Sequence, residues 1–162
     1  MIDTEHNGAD SPAMAAGHAQ LLRRQMATES CMQRFGYKQV EPGVRDCGKL
    51  AAHALHKQGR SAKLLNGSKH KTWAGAVKYI RKLGYADLIE LMDAQLGVTQ
   101  AQRIPPAAAL PGDIIAMPTD DETGFGCSLA VALDNGRILG LNPLTNMIEP
   151  MQPMSFICAW RV

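Results

Sequence analysis

The stretch Gly43-Val44-Arg45-Asp46-Cys47-Gly48-Lys49-Leu50 places an acid and a thiol at the mouth of an amphipathic helix. Asp46 has the chemistry of an N-cap, because its carboxylate can accept the unpaired amide hydrogens of a first helical turn. Cys47 then opens the helix, where the partial positive charge of the N-terminus favours thiolate over thiol and so prepares a nucleophile. The competing reading is a structural cysteine that begins an apolar face. Downstream, Cys47, Leu50, Ala51, Ala54 and Leu55 recur at helical spacing, while Lys49, His53, His56, Lys57 and Arg60 form a basic face. The helix runs to about Gln58, and Gly59 supplies the residue that closes it.

Working outward, residues 1–18 show no helical or strand period and read as a flexible arm or one that orders against a partner. A helix follows from Ala19 to about Phe35, with Leu21, Leu22, Met26, Cys31 or Met32, and Phe35 on its inner stripe and Gly36 as its stop. Residues 37–44 form a connector with a Pro42-Gly43 turn, and residues 61–71 a basic linker with an Asn66-Gly67 turn. Two more helices span about Thr72 to Leu83 and about Ala86 to Leu96; the first buries Trp73, Ala76, Val77 and Ile80, the second Leu88, Ile89, Met92 and Leu96.

Beyond a Pro- and Ala-rich loop over residues 99–112 the period changes to that of strands. They are expected at 113–117, at 128–133, at 137–141 after an Asp134-Asn135-Gly136 hairpin turn, weakly at 146–149, and at 155–162. In the last of these Phe156, Cys158, Trp160 and Val162 alternate onto one face. The fold class is therefore α+β, with N-terminal helices packed on a C-terminal antiparallel meander in one domain over residues 19–162.

Composition narrows the function classes. With 162 residues, 46% apolar and 20% charged, the chain can bury a core as one domain. No apolar run approaches membrane-spanning length, and the polar, acidic start is not that of a secretory signal. The four cysteines lie far apart with no Cys-x-x-Cys pair, so they read as reduced thiols, with Cys31, Cys127 and Cys158 as core residues. His53 and His56 are spaced to touch one ion but lack a third ligand, so no metal and no cofactor are expected.

The net charge is only +2, yet ten of the seventeen Lys and Arg residues fall between Arg45 and Lys82 against a single acid, Asp46. Lys49, Lys57 and Arg60 together with Lys71, Lys78 and Lys82 would make one basic surface for a polyanion if their helices lie side by side. A solvated face is the stronger reading for a nearly neutral chain, so nucleic acid is not the expected partner.

From Tyr37 to Val162, close to four-fifths of the chain, the order of signals resembles the NlpC-type branch of the papain-like cysteine hydrolases, most of all small phage and prophage proteins from tail gene clusters. The residues that carry the likeness are Asp46-Cys47 opening a helix, Pro111-Gly112-Asp113-Ile114-Ile115 as the first strand, Asn135-Gly136 in the hairpin, and Ala159-Trp160-Arg161-Val162 as the terminal strand. The resemblance implies a papain-like fold in which Cys47 attacks an amide carbonyl, a histidine on the second strand takes its proton, and a polar residue on the next strand orients that histidine. The implied substrate is a peptide crosslink of the bacterial cell wall.

Two of those three parts are missing. Where family members read His-Val-Gly-Ile-Tyr, this chain reads Ser128-Leu129-Ala130-Val131-Ala132, and a serine hydroxyl is no general base near neutral pH. The orienting position falls at Leu139 or Gly140, with Asn142 the nearest polar side chain. His53, six residues after Cys47 on the same helix, stands ~9 Å along the axis on another face, and His56 and His70 read as solvated members of the basic stretch. The expectation is thus a protein that is not a working enzyme: a tail-associated virion component, made in the host cytoplasm, whose partners are other virion proteins of the tail or neck. The alternative is an active hydrolase that uses Cys47 on the cell wall.

Overall fold

The computed structural model describes residues 11–120 and 124–162. A long helix α1 (Pro12–Phe35) leads through a two-residue strand β1 (Lys38–Gln39) to α2 (Cys47–Lys57), α3 (Lys63–Asn66), α4 (Trp73–Lys82) and α5 (Leu88–Leu96). Five strands follow: β2 (Ile114–Met117), β3 (Ser128–Ala132), β4 (Ile138–Asn142), β5 (Met147–Met151) and β6 (Cys158–Trp160). The protein is a mixed α+β fold, helices first and then an antiparallel sheet, as the change of period at residue 113 implies.

The sheet runs in the order β1-β5-β4-β3-β2-β6 with every pairing antiparallel. Strands β2 to β5 form the meander. The chain then returns to place β6 on the outer side of β2, and β1 closes the other edge on β5. The hairpin between β3 and β4 has Asn135 and Gly136 both in the left-handed region (φ 57° and 68°), the backbone that an Asn-Gly pair accommodates. Leu129 and Val131 of β3 join the core beneath the helices, whereas Ala130 and Ala132 face a second apolar layer with Ile115, Met117, Ile138 and Ala159, capped by Ile104 and Ala109 of the preceding loop. Both faces of β3 are therefore dry.

Helix α2 is the pivot of the upper core. Asp46 is its N-cap, and Leu50, Ala51, Ala52, Ala54 and Leu55 are all buried. The alanines present little bulk, which lets α2 lie close against β3 and α1. Caps also set the starts of α4, where Thr72 accepts from the Gly75 amide, and of α5, where Asp87 accepts from the Glu90 amide and the Glu90 carboxylate reaches back to the Ala86 amide.

Several expectations need correction. Helix α1 begins at Pro12, capped by Ser11, so residues 12–18 are helical; residues 1–10 of the expected arm lie outside the described residues. Its buried stripe is Arg24, Ala27, Cys31 and Phe35, and Leu21, Leu22 and Met26 face outward. The reason is a buried charge cluster. Asp113, fully buried, accepts from Arg24 Nη1 (2.8 Å), Arg161 Nε (2.8 Å) and the amides of Leu110 and Val162, while Arg24 also donates to the carbonyls of Pro111 and Val162. A buried carboxylate demands this pairing, and satisfying it turns α1 so that Arg24 points in.

At the other end of the chain β6 is only three residues long, and Phe156 is exposed, because pairing with β2 starts at Cys158. Trp160 is held by a hydrogen bond from its indole to Asp93, which also receives Arg103.

Candidate functional site

Asp46 is almost fully buried and accepts three hydrogen bonds. Its Oδ1 takes the Lys49 amide at 2.8 Å, the cap proper, and its Oδ2 takes the Gly43 amide and the His70 imidazole Nε2, both at 2.7 Å. Gly43 adopts φ +80°, and a Cβ there would collide with the His70 carbonyl, so only glycine lets the two loops close on each other.

The His70 ring is sequestered, contrary to the solvated role expected of it. A carboxylate can only accept, so Nε2 carries a proton toward Asp46, and Nδ1 is hydrogen-bonded with the Ser68 hydroxyl at 2.5 Å. Ser68 is buried too, and its carbonyl receives the Lys49 ammonium. The resulting chain Ser68–His70–Asp46 ends on a helix cap. Both ring nitrogens are occupied, and neither is engaged with the thiol.

Cys47 sits where the sequence places it, half-buried at the first turn of α2. Its acidity runs opposite to expectation. Desolvation by the surrounding protein is the largest influence and, with the neighbouring Asp46 charge, pushes the thiol up to about 11 against hydrogen bonding from the Leu129 backbone, the Ser128 hydroxyl and the Gly48 backbone. Burial disfavours the charged thiolate, and the adjacent carboxylate adds to that effect. Ser128 is nonetheless in the foreseen place: its hydroxyl lies beside the sulfur, close enough to favour a thiolate, although it forms no hydrogen bond of ordinary geometry.

The remaining described histidines stand elsewhere. His53 Nε2 meets Ser30 Oγ at 2.8 Å and its ring packs edge-on against Phe35; burial first, then the charges of Arg34, Lys57 and His56, holds its pKa below the ordinary value. His56 is exposed on α2 and His18 on α1. Of the foreseen orienting positions, Leu139 is buried in the core and Asn142 donates to Glu149 at 2.6 Å.

The cavity at the thiol is small, about 40 Å³, and its walls include Cys47, His70, Trp73, Tyr79, Leu88 and Phe125. That is room on the scale of a water molecule, far below the ~300–1,000 Å³ of ordinary ligand pockets. On its lining Trp73 and Phe125 meet edge-to-face with ring centroids 6.0 Å apart, and the Tyr79 hydroxyl is spent on the Leu64 carbonyl.

The six basic residues lie on α2, on α4 and on the connecting segment between them. Helix α2 packs chiefly on α1, α3 and β3, and its first turn shares the cavity lining with α4. Lys49 and Lys71 border one open groove together with Lys69, but Glu41 shares it. Lys57 and Arg60 are exposed at the far end of α2, and Lys78 and Lys82 are exposed on α4. Among the described residues no three His, Cys, Asp or Glu side chains come together as a metal site, and no helix is long and apolar enough to cross a membrane.

The functional pair that sequence reasoning missed is Ser68 and His70. The signal was faint: a Ser-x-His spacing just after an Asn-Gly turn, inside a stretch whose positive charge suggested solvent.

Residues 20–162 match the family model described as a domain of unknown function, DUF6950, and the chain belongs to that family. Comparisons with curated proteins and with solved structures find no match.

Proposed function

We propose that this member of the DUF6950 family is a non-enzymatic assembly protein, a tail-associated virion component built on a catalytically degenerate NlpC-type, papain-like scaffold. The observation that carries the reading is the state of Cys47. Its thiol is pushed up to about 11, no imidazole is engaged on it among the described residues, and the cavity beside it is small. A cysteine nucleophile needs a thiolate, a base within ~3 Å and room for an acyl group. Burial works against the first, the described imidazoles are committed elsewhere or exposed, and the space beside the sulfur is small.

The papain-like and tail-associated parts of the proposal rest on the residues that resemble the family, above all Asp46-Cys47 and the Pro111-Gly112-Asp113 strand entry. The helices-then-meander order is compatible with them. The partners expected are other virion proteins of the tail or neck.

The test is direct. Purified protein incubated with peptidoglycan is expected to release no soluble peptide above the Cys47→Ser control. Release that disappears in Cys47→Ser overturns the reading in favour of a cell-wall hydrolase.

A further inference from the structure

Two hollows of about 470 and 550 Å³ lie along the basic face of α2, and both are lined by Gly43, Val44, Lys49 and Asn66, so they run together as one groove. The first adds Arg34, His53 and His56, the second Lys69 and Lys71. Cations therefore reach the groove from three separate places: the end of α1, the first turn of α2 and the loop ahead of α4.

Their charge is uncompensated. None of Arg34, Lys49, Lys69 and Lys71 forms an ion pair among the described residues. Arg34 stands over the Phe35 ring, 5.7 Å from its centroid, and the Lys49 ammonium donates to the Ser68 carbonyl at 3.3 Å, so both are positioned without being neutralised. Among the described residues Glu41 is the acid on the lining, and Arg45 holds it at 3.1 Å. The field is felt at His53, where the charges of Arg34, Lys57 and His56 add to burial in holding the pKa low. Like charges gathered on a concave wall focus a positive potential, and a counter-charge seated there relieves their repulsion.

We propose that this groove seats an extended acidic segment of a partner protein. Its shape and chemistry select that class over a nucleic acid. A single strand needs exposed aromatic faces for its bases, and Phe35, 1% exposed beneath Arg34, offers none. A continuous run of phosphates would also meet Glu41, whereas a peptide can space its carboxylates around it. Val44, 51% exposed where the two hollows join, and Pro42 beside it give an apolar contact for a side chain between the acids. The carboxylates fall to Lys49, Lys69 and Lys71 on one side and to Arg34 on the other. This gives the assembly role a partner chemistry. It rests on that reading only for the partner's being a virion protein, and binding is measured apart from peptide release, so either can fail alone.

The experiment is fluorescence anisotropy of the full chain with a labelled oligoglutamate of ~8 residues, which extended is ~26 Å long and overlaps the ~10 Å from Lys49 to His56 along α2. Binding is expected below ~1 mM at low salt and to weaken as salt rises from ~50 to ~300 mM. Lys69→Glu/Lys71→Glu, two exposed residues, is expected to weaken it about tenfold with an unchanged circular dichroism spectrum. Lys78→Glu/Lys82→Glu makes the same change of net charge on the exposed side of α4, outside both hollows, and is expected to leave it within about twofold. Asp3→Asn/Glu5→Gln/Asp10→Asn is expected to leave it unchanged; tighter binding would show the chain's own acidic start competing for the groove. That result, no binding at low salt, equal losses in the two lysine pairs, or tighter binding of an oligothymidylate of equal charge overturns the inference.

Discussion

The acidity of Cys47 gives the sharpest test of how this site is built. The perturbation is titration of the thiol in the intact protein, read by its reaction with a small neutral disulfide reagent and taken as the difference between wild type and Cys47→Ser. Burial beside Asp46 moves the thiol from 9.0 to about 11. At pH 8 the thiolate fraction therefore falls from roughly one in ten to roughly one in a thousand, about a hundredfold. The rate falls less. A more basic thiolate is the better nucleophile, with a Brønsted slope near 0.4–0.5, which returns about eightfold over two units and leaves a net slowing of about tenfold.

A tenfold slowing at one pH could also come from steric cover, so the decisive quantity is the inflection of the rate with pH. It is expected near 11, with circular dichroism at each pH to show that the fold persists. Stability follows the same linkage. Because the folded value lies above the unfolded one, the contribution of this thiol is fully present below pH 9 and is lost as the pH rises toward 11, where the unfolded chain has released its proton and the folded chain has not. An inflection at or below 9 would refute the reasoning, since the helix N-terminus would then have won over burial and the site would hold a prepared nucleophile.

Three further outcomes follow from the same geometry. Asp46→Ala removes a cap worth ~1 kcal/mol and leaves the Gly43 amide and the His70 imidazole without their acceptor at ~1–3 kcal/mol each, so urea melts should show a loss of ~3–7 kcal/mol; Cys47→Ala should cost under ~1.5 kcal/mol, and equal costs would contradict the assignment. Arg24→Ala strips a buried partner from Asp113 and should cost ~3–5 kcal/mol in the same assay, whereas Arg161→Ala, on a half-exposed side chain, should cost no more than ~1 kcal/mol. Ser128→His places an imidazole beside the sulfur and should lower the reaction inflection of Cys47 by more than one unit; an unchanged profile would show that position 128 does not address the thiol.

What could be read from the chain depended on whether the deciding partner was local. Helix α2, its Asp46 cap, the Asn135-Gly136 hairpin and the inner face from Leu50 to Leu55 are all written within a few residues of where they act, and they stand as expected. Helix α3 was hidden because its own N-cap position, Ala62, contributes nothing; the Leu64 and Leu65 amides are satisfied by Gln95, some thirty residues on. Strand β1 is Lys38-Gln39, two exposed polar residues made a strand only by pairing with β5. The rotation of α1 was hidden for the same reason. Its apolar residues argue for burying Leu21, Leu22 and Met26, and only the buried Asp113, 89 positions from Arg24, reverses that.

The Asp46-Cys47 pair shows how such distant partners change the meaning of a motif. Both oxygens of Asp46 are engaged, by the helix cap, the Gly43 turn and His70, so its presence is explained by structure alone. That same carboxylate draws in the one imidazole that borders the cavity among the described residues, occupies it, and adds a negative charge that opposes ionisation of the adjacent sulfur. An acid that orients a catalytic histidine must leave the second ring nitrogen free for the nucleophile. Here Ser68 holds that nitrogen, so the arrangement spends its hydrogen-bonding capacity on closing residues 66–72 over the start of α2. The hydrogen bonds of Asp46 are those of a clasp, and Cys47 borders the cavity beside it.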